Sequence, residues 1–107
     1  MTDHTIPSLL PIGSIIQLHG ADEGYKMMII NRVIPVNYKG EEGYFEYLGC
    51  PHVIGATGDN RFYFNTEDIK KVYFKGYIDN DEVEAQLRYQ EFLRLKPFKK
   101  LYLEDSE

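Results

Sequence analysis

The sequence predicts a small α+β domain: about five antiparallel strands forming a small sheet or an SH3-like barrel, followed by one C-terminal helix. Short runs rich in β-branched and aromatic residues recur through residues 9–78, separated by glycine-bearing turns. From Asp79 the spacing becomes helical and stops at Pro97. With 107 residues the chain can bury one hydrophobic core and is too short for two. The organisation that follows is a single domain, 1–107, with a flexible polar start at 1–8. A β-meander spans 9–78, a helix 79–96 and a partly ordered tail 97–107.

Leu9, Leu10, Pro11, Ile12 and Gly13 lead into Ser14–His19, the first strand. Gly20 and Gly24 bracket small and acidic residues, which is hairpin-loop chemistry. Tyr25–Ile34 follows with Met27, Met28, Ile29, Ile30, Val33 and Ile34 on both faces, so this second strand is expected in the centre, covered by a helix on one side. Pro35 has no N–H for the ladder and is expected to end pairing. Asn37–Gly43 reads as a turn-rich connection, and Tyr44–Leu48 as a short aromatic strand. Gly49–Asn60 reads as the longest and most variable loop. Arg61–Phe64 returns as a strand, Asn65–Asp68 supplies the side chains that cap one helical turn, and Val72–Tyr77 is the last strand. There Lys71, Tyr73 and Lys75 share one face, with Val72 and Phe74 on the other.

The helix begins where Asp79 or Asn80 can accept first-turn N–H groups. Asp81, Glu82 and Glu84 then sit at the positive end of the helix dipole, and Arg88, Arg94 and Lys96 toward its negative end. At 100° per residue, Ile78, Ala85, Tyr89 and Phe92 gather on one side, which is expected to cover the sheet. Val83 and Leu87 form a second stripe, open to use as core or as a docking surface.

Chemistry-bearing constellations are sparse. His4, His19 and His52 lie far apart without metal-ligand spacing. Cys50 is the only cysteine, so no disulfide or cysteine zinc site closes within the chain, and a reducing compartment is expected. Cys50-Pro51-His52 has the two members of a thiolate–imidazole pair without a backing acid, and a structural thiol beside a turn proline is the stronger reading. Gly55–Asp59 is glycine-rich but lacks the Lys and Ser/Thr of a phosphate loop. Helix capping and solvation account for the carboxylates of Glu41, Glu42 and 79–84. No catalytic residue, cofactor or metal is therefore expected. Seventeen acidic against twelve basic side chains give a net charge of −5, the wrong sign for a phosphate backbone. Phe62, Tyr63, Phe64, Tyr73 and Tyr77 would form a stacking platform for single-stranded nucleic acid if gathered together, but the charge and the absent basic patch argue for ordinary core and surface roles. No apolar run is long enough to cross a membrane and no signal-peptide pattern opens the chain, so a cytoplasmic location is expected.

Five blocks carry a family resemblance: Leu9–Gly20, Lys26–Arg32, Tyr44–Gly49, Phe64–Ile69 and Val72–Tyr77. Their order resembles a Firmicute family of small uncharacterised domains encoded beside type VII secretion genes, over about Leu9 to Phe92. The resemblance implies a cytosolic accessory protein of the type VIIb pathway, a chaperone or adaptor that binds an LXG-type toxin before export. It supplies no catalytic residues. Cys50, Pro51 and His52 depart from the family pattern, which implies a different client if that loop makes contact. The expected partner is thus a protein: a secreted toxin or another product of the same locus. The surfaces offered to it are the strand tyrosines Tyr73 and Tyr77, the helix stripe Val83 and Leu87, and the loop residues His52, Val53 and Ile54. Three other readings stay open: an immunity-type inhibitor whose acidic surface blocks a basic toxin, a general protein-binding domain, and, weakest, an enzyme using Cys50 or His52. An exposed edge strand leaves open both a homodimer and strand addition to a partner.

Overall fold

Turn chemistry and alternation set the sheet, and two outer strands leave it open. The computed structural model describes residues 9–95 and 99–103. The expectations for residues 1–8, 96–98 and 104–107 lie outside the described residues. The elements are β1 (Ile15–Leu18), β2 (Met27–Tyr38), β3 (Glu41–Pro51), β4 (Phe62–Phe64), β5 (Ile69–Phe74) and α1 (Asn80–Leu95). The strands run in the order β4-β3-β2-β1-β5, every neighbour antiparallel. The architecture is the expected α+β, as an open sheet rather than a closed SH3-like barrel. Closure would require β4 to pair with β5, and β4 offers only three residues of ladder.

The β2–β3 hairpin is longer than its sequence suggests. Pairing passes through Pro35, which lies opposite Tyr44, and continues to Tyr38 opposite Glu41. The β1 side of β2 is bonded only as far as Ile29, which exchanges backbone bonds with Ser14 and Gly13, so β2 has one neighbour at Pro35 and a proline whose missing N–H faces the open side costs no ladder bond. Lys39 and Gly40 both take positive φ, 53° and 85°, forming a two-residue turn whose twist matches the hairpin. Gly49 does not open a loop. It pairs with Ile29 and Phe62, and a Cβ there would lie 2.9 Å from the Phe64 ring and 3.0 Å from the Met28 carbonyl.

One face of the sheet carries the core of Leu9, Ile16, Met27, Ile29, Tyr47 and Phe64, with Leu18, Val33, Ile69 and Tyr89 packed around it. The Tyr47 and Phe64 rings stack at 5.5 Å, and the Tyr47 hydroxyl accepts a 2.9 Å bond from the Leu10 N–H. A bulge between Ile29 and Asn31 changes the alternation of β2. Met27 and Ile29 are buried, Asn31 is exposed, and Arg32 is buried in its place. Next to it Val33 has φ 52°, a left-handed conformation that β-branched residues rarely adopt.

Because Arg32 points to the helix side, α1 is fastened by polar groups. Its guanidinium makes a two-pronged contact with Glu82, 2.6 and 2.9 Å, and donates to the Leu10 carbonyl at 3.2 Å. It also lies 4.8 Å from the centre of the Tyr89 ring. Gln86 accepts from the Leu9 N–H at 3.0 Å and donates to the Leu9 carbonyl at 2.7 Å, tying the entry segment to the same turns of α1. No residue of α1 is fully buried, and Asp79 caps it through a 3.0 Å bond from the Glu82 N–H. Of the expected covered face, Tyr89 reaches the core while Ile78 is half exposed.

The segment after α1 returns to the sheet. Lys99 O accepts from Tyr44 N–H at 2.9 Å, and Leu101 N–H donates to Tyr44 O at 2.8 Å, a parallel bridge beside β3 past the end of β4. Leu101 is buried, and its carbonyl accepts from the Asn65 amide at 2.8 Å. Gly43 permits this approach, since a Cβ there would lie 2.4 Å from Lys99 O. As expected, one helical turn follows Asn65: Thr66–Asp68 is a 3-10 turn, and the Asp68 carboxylate accepts from Asn65 N–H at 2.8 Å.

Candidate partner-binding surface

β3 delivers Pro51 to the edge of the sheet, where the His52 N–H donates to Lys26 O at 3.0 Å and the chain turns away. Gly55 takes φ 85° and its N–H returns to Pro51 O at 2.9 Å. The Asn60 side chain spans the loop, accepting from Thr57 N–H at 2.6 Å and donating to Gly55 O at 2.8 Å. The loop is thus fixed at both ends by backbone and amide bonds, and its apex exposes Val53 at 85% and Ile54 at 73%. Two apolar side chains held in water on a pinned turn gain nothing for the fold.

Two adjoining depressions meet beside this apex. One, of about 390 Å³, is lined by Gly13, Ile15, Lys26, His52, Tyr73 and Phe74. The other is lined by Gly24, Tyr25, Lys26, Pro51, His52, Val53 and Ile54. Lys26 and His52 belong to both, so the apolar walls form one continuous surface with a cation in the middle. Tyr73 is held in place by donating its hydroxyl to Gln17 Oε1 at 3.0 Å, and the buried Gln17 amide donates to Asp22 O at 3.3 Å. Lys26 and Lys71 stand over the Tyr73 ring, their Nζ atoms 5.1 and 4.9 Å from its centre.

His52, Val53, Ile54 and Tyr73, four of the seven residues singled out from the sequence, therefore come together. Val83 lines a separate depression on the helix side with Lys75, Ile78 and Gln86. Leu87 and Tyr77 are exposed and line neither depression. Sequence reasoning missed Tyr25, Lys26 and Phe74. Tyr25 and Lys26 directly follow the Gly24 turn, and turn-adjacent aromatic and basic residues were the available signal. The five aromatics of the imagined stacking platform do not meet, since β4 and β5 lie at opposite ends of the sheet, four strand spacings or roughly 19 Å apart. Cys50 is fully buried whereas His52 is exposed.

On the helix side, the hydrogen bond from Arg32 holds the Glu82 carboxyl below the usual carboxylate range, against the opposing effect of burial. Burial works against the Arg32 charge, yet the hydrogen bonds it donates to the Glu82 carboxylate and the proximity of the Tyr89 phenol more than offset it, and its pKa is raised. This charged pair fastens α1; Glu82 also lines the helix-side depression beside Val83, with its carboxylate taken up by Arg32 and Gln86. Among the described residues no group of three or more His, Cys, Asp or Glu could hold a metal ion, and no helix is long and apolar enough to cross a membrane.

Residues 9–85 match the family model of a domain of unknown function, DUF4176. The chain belongs to the DUF4176 family. The matched span holds all five strands and the start of α1, so the DUF4176 domain includes His52, Val53, Ile54, Tyr73 and Val83, while Leu87 follows it. No curated protein matches the chain. No solved structure matches it.

Proposed function

We propose that this DUF4176 domain is a non-enzymatic binding module, a cytosolic chaperone or adaptor of type VIIb secretion that holds an LXG-type toxin before export. The secretion context comes from the resemblance of the five sequence blocks. What supports the binding role is one observation: Val53 and Ile54 stand exposed on a pinned loop, beside a surface walled by Tyr25, Tyr73 and Phe74. Exposed apolar and aromatic side chains gathered around Lys26 and His52 are a surface of the kind that a protein contact covers.

The test is affinity purification of the tagged chain from cells expressing its native locus, with mass spectrometry of what co-elutes. A stoichiometric LXG-type protein is expected, lost in Val53→Asp/Ile54→Asp while the variant's urea midpoint stays unchanged. Recovery of the domain alone, with the neighbouring proteins shown to be expressed, would overturn the reading. Co-expression with the captured toxin separates the roles: an adaptor raises toxin level or export, whereas abolished toxicity points to an inhibitor.

A further inference from the structure

β5 is one of the two outer strands, and among the described residues β1 is its only neighbour. The opposite side of the sheet is closed in short pieces: β4 spans three residues, and the segment at Lys100 covers β3 beyond it. β5 spans six, so among the described residues it is the longer of the two outer strands, and its far side presents backbone groups without a strand beside them. Its side chains are unusual for an acidic chain. Lys70 and Lys71 lie within it and Lys75 follows it, and Lys26 reaches the Tyr73 ring from β2's entry. None of these four lysines forms an ion pair among the described residues, whereas Arg32, Arg88, Arg94, Lys99 and Lys100 each contact a carboxylate.

We propose that β5 receives an acidic, extended segment of a protein partner as a sixth strand. The partner's being a protein rests on the binding-module reading above; the site and its chemistry rest on β5 itself. Main-chain groups give such an addition its affinity and alternate side chains give it selectivity. Two bulges break the alternation of β5, so the register with β1 sets its faces. Lys71 and Phe74 lie on the face of Gln17 and Ile15, where the Tyr73 hydroxyl reaches Gln17, and Ile69 and Val72 lie on the face of Leu18 and Ile16. An added strand that sets its acidic side chains on the Lys71 face meets an opposite charge there and lays its apolar ones beside Val72 on the other. A second copy's β5 would place lysines against lysines, which is unfavourable, so the same residues that deter self-pairing admit an acidic strand. The outer edge of β5 also runs into Tyr73 and Phe74 in the depression described above, giving the added chain an apolar floor at one end.

The experiment uses the ¹⁵N-labelled full chain and four probes: a synthetic peptide of alternating Glu and Val, two versions of it N-methylated along one edge or the other, and a Lys/Val counterpart. Binding of the Glu/Val peptide is expected to shift the amides of Lys70–Phe74 and slow their exchange. Methylation of one peptide edge should abolish binding and methylation of the other should not, because a strand adds through one edge. Lys70→Glu/Lys71→Glu should weaken the peptide about tenfold. Both lysines are exposed, and an unchanged urea midpoint for the variant excludes misfolding as the cause. No binding at millimolar peptide, shifts confined to Val53 and Ile54, equal binding of the Lys/Val peptide, or indifference to methylation would each overturn the proposal. So would tighter binding of a single-stranded oligothymidylate at the same residues, which would make the edge a nucleic-acid site. Peptide binding at β5 with no protein captured from cells would remove the adaptor reading and leave this one. Capture of a toxin that leaves β5 amides unprotected would do the reverse.

Discussion

Replacing Glu82 with glutamine should destabilise the domain by about 2 to 3 kcal/mol, through a charge left behind rather than a contact removed. Arg32 is covered to 4% exposure and cannot give up its proton, so without the carboxylate its charge keeps one neutral amide oxygen, the Leu10 carbonyl and the Tyr89 ring, none of them an anion. Removing one member of a fully buried pair costs ~3 to 5 kcal/mol. Glu82 is 12% exposed, so water can reach the site and the lower end applies. For a domain of this size that loss lowers Tm by about 10 to 20 °C. Arg32→Met/Glu82→Leu, which replaces both charges with apolar volume, should lose less than the two single variants together, leaving a coupling energy of ~1.5 to 3 kcal/mol. Urea unfolding followed by circular dichroism at constant m-value measures all four corners of the cycle. A coupling energy below ~0.5 kcal/mol would refute the reasoning, because the pair would then hold α1 no more firmly than two independent side chains. The pH dependence provides a second check. Glu82 titrates lower in the folded chain than its unfolded value of 4.5, so its stabilisation is fully present above that value and is lost as pH falls through the folded one. Wild type should therefore lose more stability than Glu82→Gln on acidification below about pH 4.5.

Three further outcomes follow from the backbone and the core. Lys39→Asn should raise stability by ~0.5 to 1 kcal/mol, since Lys39 holds φ 53° in a two-residue turn that asparagine tolerates better; an unchanged or lower urea midpoint counts against that turn. Gly43→Ala should cost ~1 to 3 kcal/mol and accelerate amide exchange at Leu101, because the new methyl would displace the strand at Lys99. Cys50, fully buried, should react with a thiol reagent only at the rate of opening, so that modification and unfolding share one denaturant dependence.

How much of this was legible in the sequence depended on whether a signal was local. The helix, its Asp79 cap and the 3-10 turn after Asn65 were all written in adjacent side chains; the run at Val72–Tyr77 marked a last strand, but β5 lies at Ile69–Phe74 and two bulges put Phe74 on the face of Lys71. The extent of the β2–β3 hairpin was not. Pro35 breaks a strand only if its missing N–H faces a neighbour, and whether β1 reaches that far is a property of the whole sheet. Gly49 looked like a loop residue because glycine marks turns, whereas here it leaves room for the Phe64 ring. The bulge after Ile29 had no signature either, yet it moves Arg32 to the helix side and makes the fastening of α1 ionic. For the candidate surface, the loop apex Val53 and Ile54 stood out as apolar residues among turn formers. Lys26 and Phe74 did not, because what makes them neighbours of His52 is the register of strands far apart in the chain.

The return of residues 99–101 to β3 has a consequence for stoichiometry. A sheet with two bare sides can be extended at both, and copies can then join end over end without limit. Here the chain covers part of one side with its own pieces, at Lys100 and at β4, and among the described residues β5 is the one outer strand longer than three residues. Joining through the outer strands therefore stops after a single event, whatever joins. One partner per domain, or at most two domains face to face, is the largest assembly this route allows, so a filament cannot grow from it.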